Sequence, residues 1–140
     1  MSDAYEIIEF DLPWPPSVNH YWGQRVVGKR AIRYLGAKGK KFRVEVEEAV
    51  KPQLVKCKEL FHNKERIVCE IKVFSPDRRR RDIDNLLKST LDALEHAGAY
   101  EDDAQIDGLI VSRDISVVEP TGRIRVKLQR LRSITDETED

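Results

Sequence analysis

The 140-residue sequence lacks several features that would narrow its class at once. It has no apolar run of about 18 residues and no leader with a charged, apolar and small-residue pattern, so we expect neither a membrane span nor secretion. Its two cysteines form no C-x-x-C or Cys/His pattern, so reduced thiols are expected. A Gly-rich phosphate loop is also absent, which argues against a nucleotide cofactor. These absences favour a soluble, cytoplasmic protein.

Charge of either sign is plentiful but unevenly distributed. The net charge is zero, yet residues 25–43 contain eight basic side chains and no acidic one, whereas four of the last five residues, 136–140, are acidic. A basic segment of this kind is typical of proteins that contact phosphates, although a solvated basic face would look the same. We predict one domain over residues 1–132 and a disordered acidic tail over 133–140.

Apolar periodicity predicts an α+β domain, with a mixed sheet of about four to six strands packed against two main helices. The helices are expected at about 38–54, with Pro52 fraying the end, and at 83–97, where Gly98 provides a stop. A hairpin across 25–35 should turn at Gly28 and Lys29. Further strands are expected at 5–10, 66–74, 109–118 and 123–131, the last two as an antiparallel pair.

The segment PDRRRRDIDNLLKSTLDAL, residues 76–94, places four arginines directly before Asp82 and Asp84. Two carboxylates about 4 Å apart repel by roughly 4 kcal/mol at an effective dielectric near 20, so a cation should lie close to them. That cation is either an arginine or a divalent metal such as Mg²⁺, which prefers oxygen ligands. A plainer alternative is that both acids cap a helix and favour its dipole.

Three neighbours of the D-x-D pair strengthen the metal interpretation, and the first is the preceding run of four arginines, which could hold phosphates through bidentate hydrogen bonds. Lys88 follows Asp84 by one helical turn, where it forms a surface ion pair or contacts a ligand. An acidic cluster follows the Gly98 stop and could supply a third carboxylate, and its spacing alone leaves open which acid points inward. The cluster consists of Glu101, Asp102 and Asp103.

Three segments together resemble the RusA family of Holliday junction resolvases. They are LPWPPSVNHYW near the N-terminus, PDRRRRDIDNLLKSTLDAL in the middle and AGAYEDDAQI after it. The resemblance implies a RusA-like fold and a small homodimeric endonuclease that depends on Mg²⁺, with one or two ions per site. Such an enzyme binds four-way DNA junctions and nicks two opposing strands symmetrically, in recombination and repair, and is often carried by phages or prophages.

The resemblance also implies roles for individual residues. Asp82, Asp84 and Asp103 match the family's metal-binding and catalytic acids, and Lys88 matches its functional lysine. Arg81 precedes the first aspartate and Asn19 lies in a PPSxN pattern, and we expect both to contact DNA. We expect further basic side chains to bind DNA phosphates. These are Arg78, Arg79, Arg80, Lys38, Lys40 and Lys41.

Two alternatives remain at this level. The chain could be a DNA-binding module without catalysis, or a D-x-D transferase that uses a metal to hold a nucleotide diphosphate. The aromatic side chains near the prolines could stack on opened bases, but packing is the commoner role for such residues. These aromatic residues are Trp14, Tyr21, Trp22 and Tyr34.

Overall fold

The computed structural model describes residues 6–116 and 118–131. The predicted tail, residues 133–140, and its boundary after 132 lie outside these ranges. The strands are β1 (Ile7–Pro13), β2 (Trp22–Val27), β3 (Arg30–Leu35), β4 (Ile67–Phe74), β5 (Ile106–Arg113) and β6 (Arg123–Arg130). The helices are α1 (Val18–Tyr21), α2 (Ala37–Val50), α3 (Leu54–Phe61) and α4 (Leu87–Ala97), and short 3₁₀ turns occupy Lys51–Gln53, Ile83–Leu86 and Asp103–Gln105.

The main sheet is mixed and has the order β1-β6-β4-β5, so the predicted α+β architecture is confirmed. Alternation along β4 buries Ile67, Cys69, Ile71 and Val73 on the face that the helices cover, as the sequence pattern predicts. The opposite face is polar, with Lys127 and Glu70 paired across strands at 2.9 Å. The core therefore lies between one face of the sheet and the packed helices α2 and α4.

The predicted antiparallel pairing of the last two strands is wrong. Strands β5 and β6 lie on opposite sides of β4, with β5 parallel to β4 and β6 antiparallel to it. Helix α4 lies between β4 and β5 in the chain, and parallel neighbours need such a crossover. β5 also covers Ile106–Arg113 instead of 109–118. Period-two alternation identifies a strand but not its neighbour, which is why the sequence pattern misassigned the pair.

The helices follow the predicted pattern with two differences. The helix expected at 38–54 ends at Val50, because Pro52 cannot donate to an α-helical ladder and lies in a 3₁₀ turn. Helix α3 then begins at Leu54, and we did not predict it. The second predicted helix starts with the 3₁₀ turn Ile83–Leu86, and Gly98 ends it at φ +87° as expected.

The predicted hairpin is confirmed, and it forms a two-stranded sheet of its own from β2 and β3. Gly28 occupies its turn at φ +64°, a conformation that glycine adopts without a steric penalty. The root of the hairpin approaches α2 closely at Gly39, where an added Cβ would lie 2.4 Å from the Tyr21 carbonyl oxygen. Within the described residues, no helix is long and apolar enough to cross a membrane.

Candidate active site

The D-x-D pair lies at the 3₁₀ turn Ile83–Leu86: Asp82 directly precedes the turn, and Asp84 is within it. Leu86 is buried and its carbonyl accepts hydrogen bonds from Ser89 Oγ and Thr90 Oγ1, which hold the turn on the core. Asp82 occupies the N-cap position, but its side chain accepts no capping hydrogen bond. Asp82 therefore does not cap the helix through its side chain, as the capping alternative would require. The Asp82 side chain is exposed to solvent.

One shallow depression brings together three of the predicted functional side chains, Asp84, Lys88 and Asp103. All three are exposed. Among residues 6–116 and 118–131, none of their charged groups takes part in a hydrogen bond or an ion pair. The Asp84–Lys88 ion pair that the sequence allowed is therefore absent from the described structure. Other side chains of the depression come from four elements, β2, β3, α4 and β5: Trp22, Arg33, Leu87, Leu91, Asp92 and Leu109.

Asp82 lines a neighbouring cleft and not the depression. This cleft is formed by the Pro-rich loop, with Trp14, Pro15, Pro16, Ser17 and His20, and by Lys38, Arg80, Arg81, Asn85 and Leu86. Ser89 Oγ donates to the Pro16 carbonyl at 2.7 Å and fixes the loop against α4. The structure thus divides the predicted acids into Asp82 on a basic cleft and two acids in the adjoining depression.

The backbone of the acidic loop distinguishes Asp102 from Asp103. Asp102 caps the turn Asp103–Gln105, and its Oδ1 accepts a hydrogen bond from the Ala104 N–H at 2.9 Å. Glu95 Oε1 accepts from the Asp103 N–H at 2.8 Å. Carboxylate oxygens of Glu95, Asp102 and Asp103 lie within 4.8 Å of one another, but two of the three acids already accept backbone N–H groups. Asp103 is the acid of this cluster whose carboxylate also lines the depression.

Gln105 holds the acidic loop in place, a role that we did not predict. Its side-chain amide is buried and donates to the carbonyls of Phe61 and Glu65, at 2.9 and 2.8 Å. Its Oε1 accepts from the N–H groups of Glu101 and Asp102, at 2.8 and 2.9 Å. Four hydrogen bonds on one buried amide fix the loop to the end of α3. The glutamine of the D-D-A-Q segment was the available signal.

A partly buried cluster of Tyr21, Arg43 and Asp92 connects α1, α2 and α4. Arg43 donates to Tyr21 Oη and to Asp92 Oδ2, each at 2.8 Å, and the Tyr21 hydroxyl donates to the same carboxylate oxygen. Burial, followed by the hydrogen bond to Asp92, raises the pKa of Tyr21 well above its ordinary value. Tyr21 is wholly buried, so it packs in the core and does not stack on bases. We did not predict this cluster.

The four arginines before Asp82 do not share one environment. Arg81 makes two hydrogen bonds to the Asp77 carboxylate, at 2.6 and 3.1 Å, and its guanidinium carbon lies 5.6 Å from the centre of the Trp14 ring. The hydrogen bond from Arg81, helped by the Arg79 N–H, lowers the pKa of Asp77 to about 2. The side chains of Arg78, Arg79 and Arg80 are exposed. Arg81 braces the loop, whereas its three neighbours are directed to solvent.

The other predicted DNA-binding residues lie on the surface near the cleft. Lys38 lines the cleft itself, and Lys40 and Lys41 are exposed on the first turns of α2. Asn19 is exposed on α1, next to His20 of the cleft wall. The cleft that Asp82 lines is therefore bordered by basic groups, and the depression that Asp84 and Asp103 line is more acidic.

Comparisons with known proteins agree on one family. The family model described as Endodeoxyribonuclease RusA matches residues 13–129. A protein of Enterobacteria phage HK97, named Crossover junction endodeoxyribonuclease rusA, is 40% identical over 126 residues, which cover 90% of this chain and 97% of the relative. Proteins with the same name from Enterobacteria phage 82 and Escherichia coli (strain K12) are each 40% identical over 95 residues, covering 68% of this chain and 72% of each relative.

A solved structure named Dihydroxyacetone kinase operon co-activator Dha-DhaQ is similar over 92% of this chain and 41% of its own. Its TM-score is 0.48 and its sequence identity is 10%. A likeness at this level supports no conclusion about fold or function.

Proposed function

Because the chain belongs to the RusA family of endodeoxyribonucleases, we propose that it hydrolyses DNA phosphodiesters at four-way junctions. One structural observation carries the proposal most strongly. Asp84, Lys88 and Asp103 line one exposed depression, and the charged group of each has no hydrogen-bond or ion-pair partner among the described residues. Charged groups left without internal partners are available to a ligand, and the adjoining basic cleft suits a polyanion.

The carboxylates of this site fit a hard divalent cation. Asp84 and Asp103 would hold Mg²⁺ in the depression, and Asp82 would supply a further carboxylate from the adjoining cleft, with one or two ions bound. The donors are exposed carboxylate oxygens, which is the ligand class that Mg²⁺ prefers. When bound, the metal supplies Lewis-acid stabilisation of phosphate charge and a more acidic water.

The protein's own side chains then position the DNA. Lys88 Nζ would donate hydrogen bonds to the phosphate being cut or to the attacking water. The exposed guanidinium groups of Arg78, Arg79 and Arg80 would hold neighbouring phosphates, with Lys38, Lys40, Lys41 and Asn19 on the same side. Contacts of this kind provide affinity without reading base sequence. Arg81 would act indirectly, because its guanidinium is engaged by Asp77.

We further propose that the enzyme acts as a homodimer. A four-way junction has approximate two-fold symmetry, and a two-fold dimer would place one active site on each of two opposing strands. Paired symmetric nicks would follow, as recombination and repair require. The catalytic domain would comprise residues 1–132, and the place of action would be the cytoplasm of a bacterial cell, since the relatives come from phages and bacteria.

The test is cleavage of a labelled synthetic four-way junction, compared with a linear duplex of the same sequence. Wild type and Asp82→Asn are each incubated with Mg²⁺ or with EDTA. We expect paired nicks in the junction with wild type and Mg²⁺, and none with EDTA or with the variant. Tight junction binding by wild type without nicks under any divalent metal would contradict the proposal and favour a DNA-binding module without catalysis.

A further inference from the structure

Arg33 is a cation of the depression to which the family resemblance assigned no role. It lies on β3, opposite Gln24 of β2, near the root of the hairpin. Its side chain lines the same depression as Asp84, Lys88 and Asp103. The hairpin therefore forms one wall of the candidate active site, and Arg33 is the basic residue that this wall contributes.

The guanidinium of Arg33 is held by an aromatic stack. Its central carbon lies 4.2 Å from the centre of the Trp22 ring, which is within the range of a cation–π contact. Trp22 itself packs edge-on against the buried Tyr21, with ring centres 5.2 Å apart and planes at 85°. Because Tyr21 is tied to Arg43 and Asp92, the indole has a fixed support. Arg33 is thus oriented by Trp22, which itself packs on the buried Tyr21 of the core.

The charge of Arg33 is not neutralised within the described part of the chain. Arg43 also lies over the Trp22 ring, at 5.8 Å, but Asp92 pairs with Arg43 at 2.8 Å. No carboxylate among residues 6–116 and 118–131 forms an ion pair with Arg33. A planar guanidinium that uses its face for stacking still has its N–H groups free at the edge, where they match the oxygens of a phosphate.

We propose that Arg33 is a substrate-contacting residue of the nuclease site, donating N–H hydrogen bonds to non-bridging oxygens of the phosphate that is cut. This inference rests on the proposed function. In the hydrolysis, a bond forms between a water oxygen and phosphorus, and the bond from phosphorus to the leaving deoxyribose oxygen breaks. A proton from water ends on that leaving oxygen. Arg33 transfers no proton, and it stabilises the negative charge that grows on the phosphate oxygens.

The experiment compares wild type with Arg33→Gln, Arg33→Lys and Arg30→Gln. Arg30→Gln is the matched control, because Arg30 lies on the same strand opposite Val27, three positions away and hence on the other face of the hairpin. Cleavage of a labelled four-way junction is followed in single turnover at saturating enzyme with Mg²⁺. Junction affinity is measured separately in EDTA, and thermal unfolding is recorded for every variant.

We expect Arg33→Gln to lower the single-turnover rate by about a hundredfold, the loss typical of removing one transition-state donor. Arg30→Gln removes the same charge, and it should leave that rate within about twofold of wild type, because general charge acts on affinity. Arg33→Lys should recover only part of the rate, since an ammonium keeps the charge and loses the planar fork. The thermal unfolding midpoints of all variants should be similar to that of wild type, because Arg33 supports no other element.

Three outcomes would overturn the inference. Equal single-turnover rates for Arg33→Gln and Arg30→Gln would mean that Arg33 acts only through its general positive charge. The proposed nuclease function would be unaffected by that result. A fall in rate accompanied by a matching fall in the unfolding midpoint would make Arg33 a structural residue. A wild-type protein that cuts no junction under any divalent metal would remove the proposed function and this inference together.

Discussion

Asp84 and Asp92 line the same depression and have opposite environments. Asp92 is partly buried and is bound by the Tyr21 hydroxyl and the Arg43 guanidinium. The carboxylate of Asp84, on the preceding 3₁₀ turn, has no hydrogen-bond or ion-pair partner among the described residues. The comparison separates two kinds of charged side chain. Paired side chains such as Asp92 join helices to one another, and unpaired side chains such as Asp84 lie on the elements that this pairing holds in place.

The largest effect should separate the two aspartates themselves. Asp84→Asn should reduce junction cleavage by roughly a hundredfold or more, with an unchanged unfolding midpoint, because it removes a ligand and no internal contact. Asp92→Asn should instead lower the free energy of unfolding by about 2 kcal/mol, because Arg43 loses its charged partner. Single-turnover kinetics and urea denaturation on both variants measure this. If Asp92→Asn lost more activity and Asp84→Asn more stability, the division would be reversed.

Gln105 tests whether the acidic loop depends on a buried anchor. Gln105→Leu should lower the free energy of unfolding by about 3 kcal/mol, since it leaves two backbone carbonyls and two N–H groups without their partner. Gln53→Leu is a suitable control, because Gln53 makes one exposed hydrogen bond, to the Glu9 carbonyl. Urea denaturation curves give both values. Similar losses of unfolding free energy in the two variants would mean that the Gln105 amide does not anchor the acidic loop.

A substitution at Gly39 tests how closely α2 must approach α1 for the cluster of Tyr21, Arg43 and Asp92 to form. Gly39→Ala should cost about 1–2 kcal/mol of unfolding free energy, because the clash with the Tyr21 carbonyl oxygen outweighs the better helix propensity of alanine. In Gly108→Ala, the control, the new Cβ would lie 3.4 Å from Val68 Cγ2, an ordinary contact. Thermal and urea unfolding distinguish the two. A Gly39→Ala protein more stable than wild type would show that the helices can separate at little cost.

The smallest effect concerns the exposed pair of Asp77 and Arg81. The folded pKa of Asp77 is about 2 and its ordinary value is 3.8, so the pair stabilises the fold above about pH 4. That contribution should disappear as the pH falls from about 4 to 2, because the carboxylate becomes protonated. Unfolding of wild type and Asp77→Asn across this range measures it. A stability difference that stayed constant down to pH 2 would contradict this account.

Much of the fold could be predicted from sequence patterns, because those patterns are local. Alternation located β4, the 3.6-residue period located α2 and α4, and Gly28 and Gly98 occupy the turn and the stop that their chemistry favours. The order of the strands could not be predicted in this way. Whether β5 pairs with β4 or with β6 depends on contacts between segments far apart in the chain, and alternation is the same in both cases.

The same distinction applies to the candidate site. Asp82, Asp84 and Lys88 could be identified from one continuous segment, and the family resemblance selected Asp103. Gln105, Tyr21, Arg43, Asp92 and Arg33 could not be identified as parts of the site, because each depends on a partner more than ten residues away. A polar residue met alone in a sequence carries no sign of what it will contact.

The sequence by itself determined the chemistry that this chain can perform: acidic side chains at a helix start, a lysine one turn further and a surplus of basic groups near them. Those properties depend on residue type and short-range spacing. Only the tertiary structure decided which charges are neutralised inside the protein and which remain for a ligand. Asp92 is paired with Arg43, 49 residues away in the chain, whereas Asp84 and Asp103 have no arginine partner in the described residues. The physical reason is that such an ion pair needs two side chains from segments far apart in the chain. The packing of the helices and the sheet determines which of these side chains come into contact.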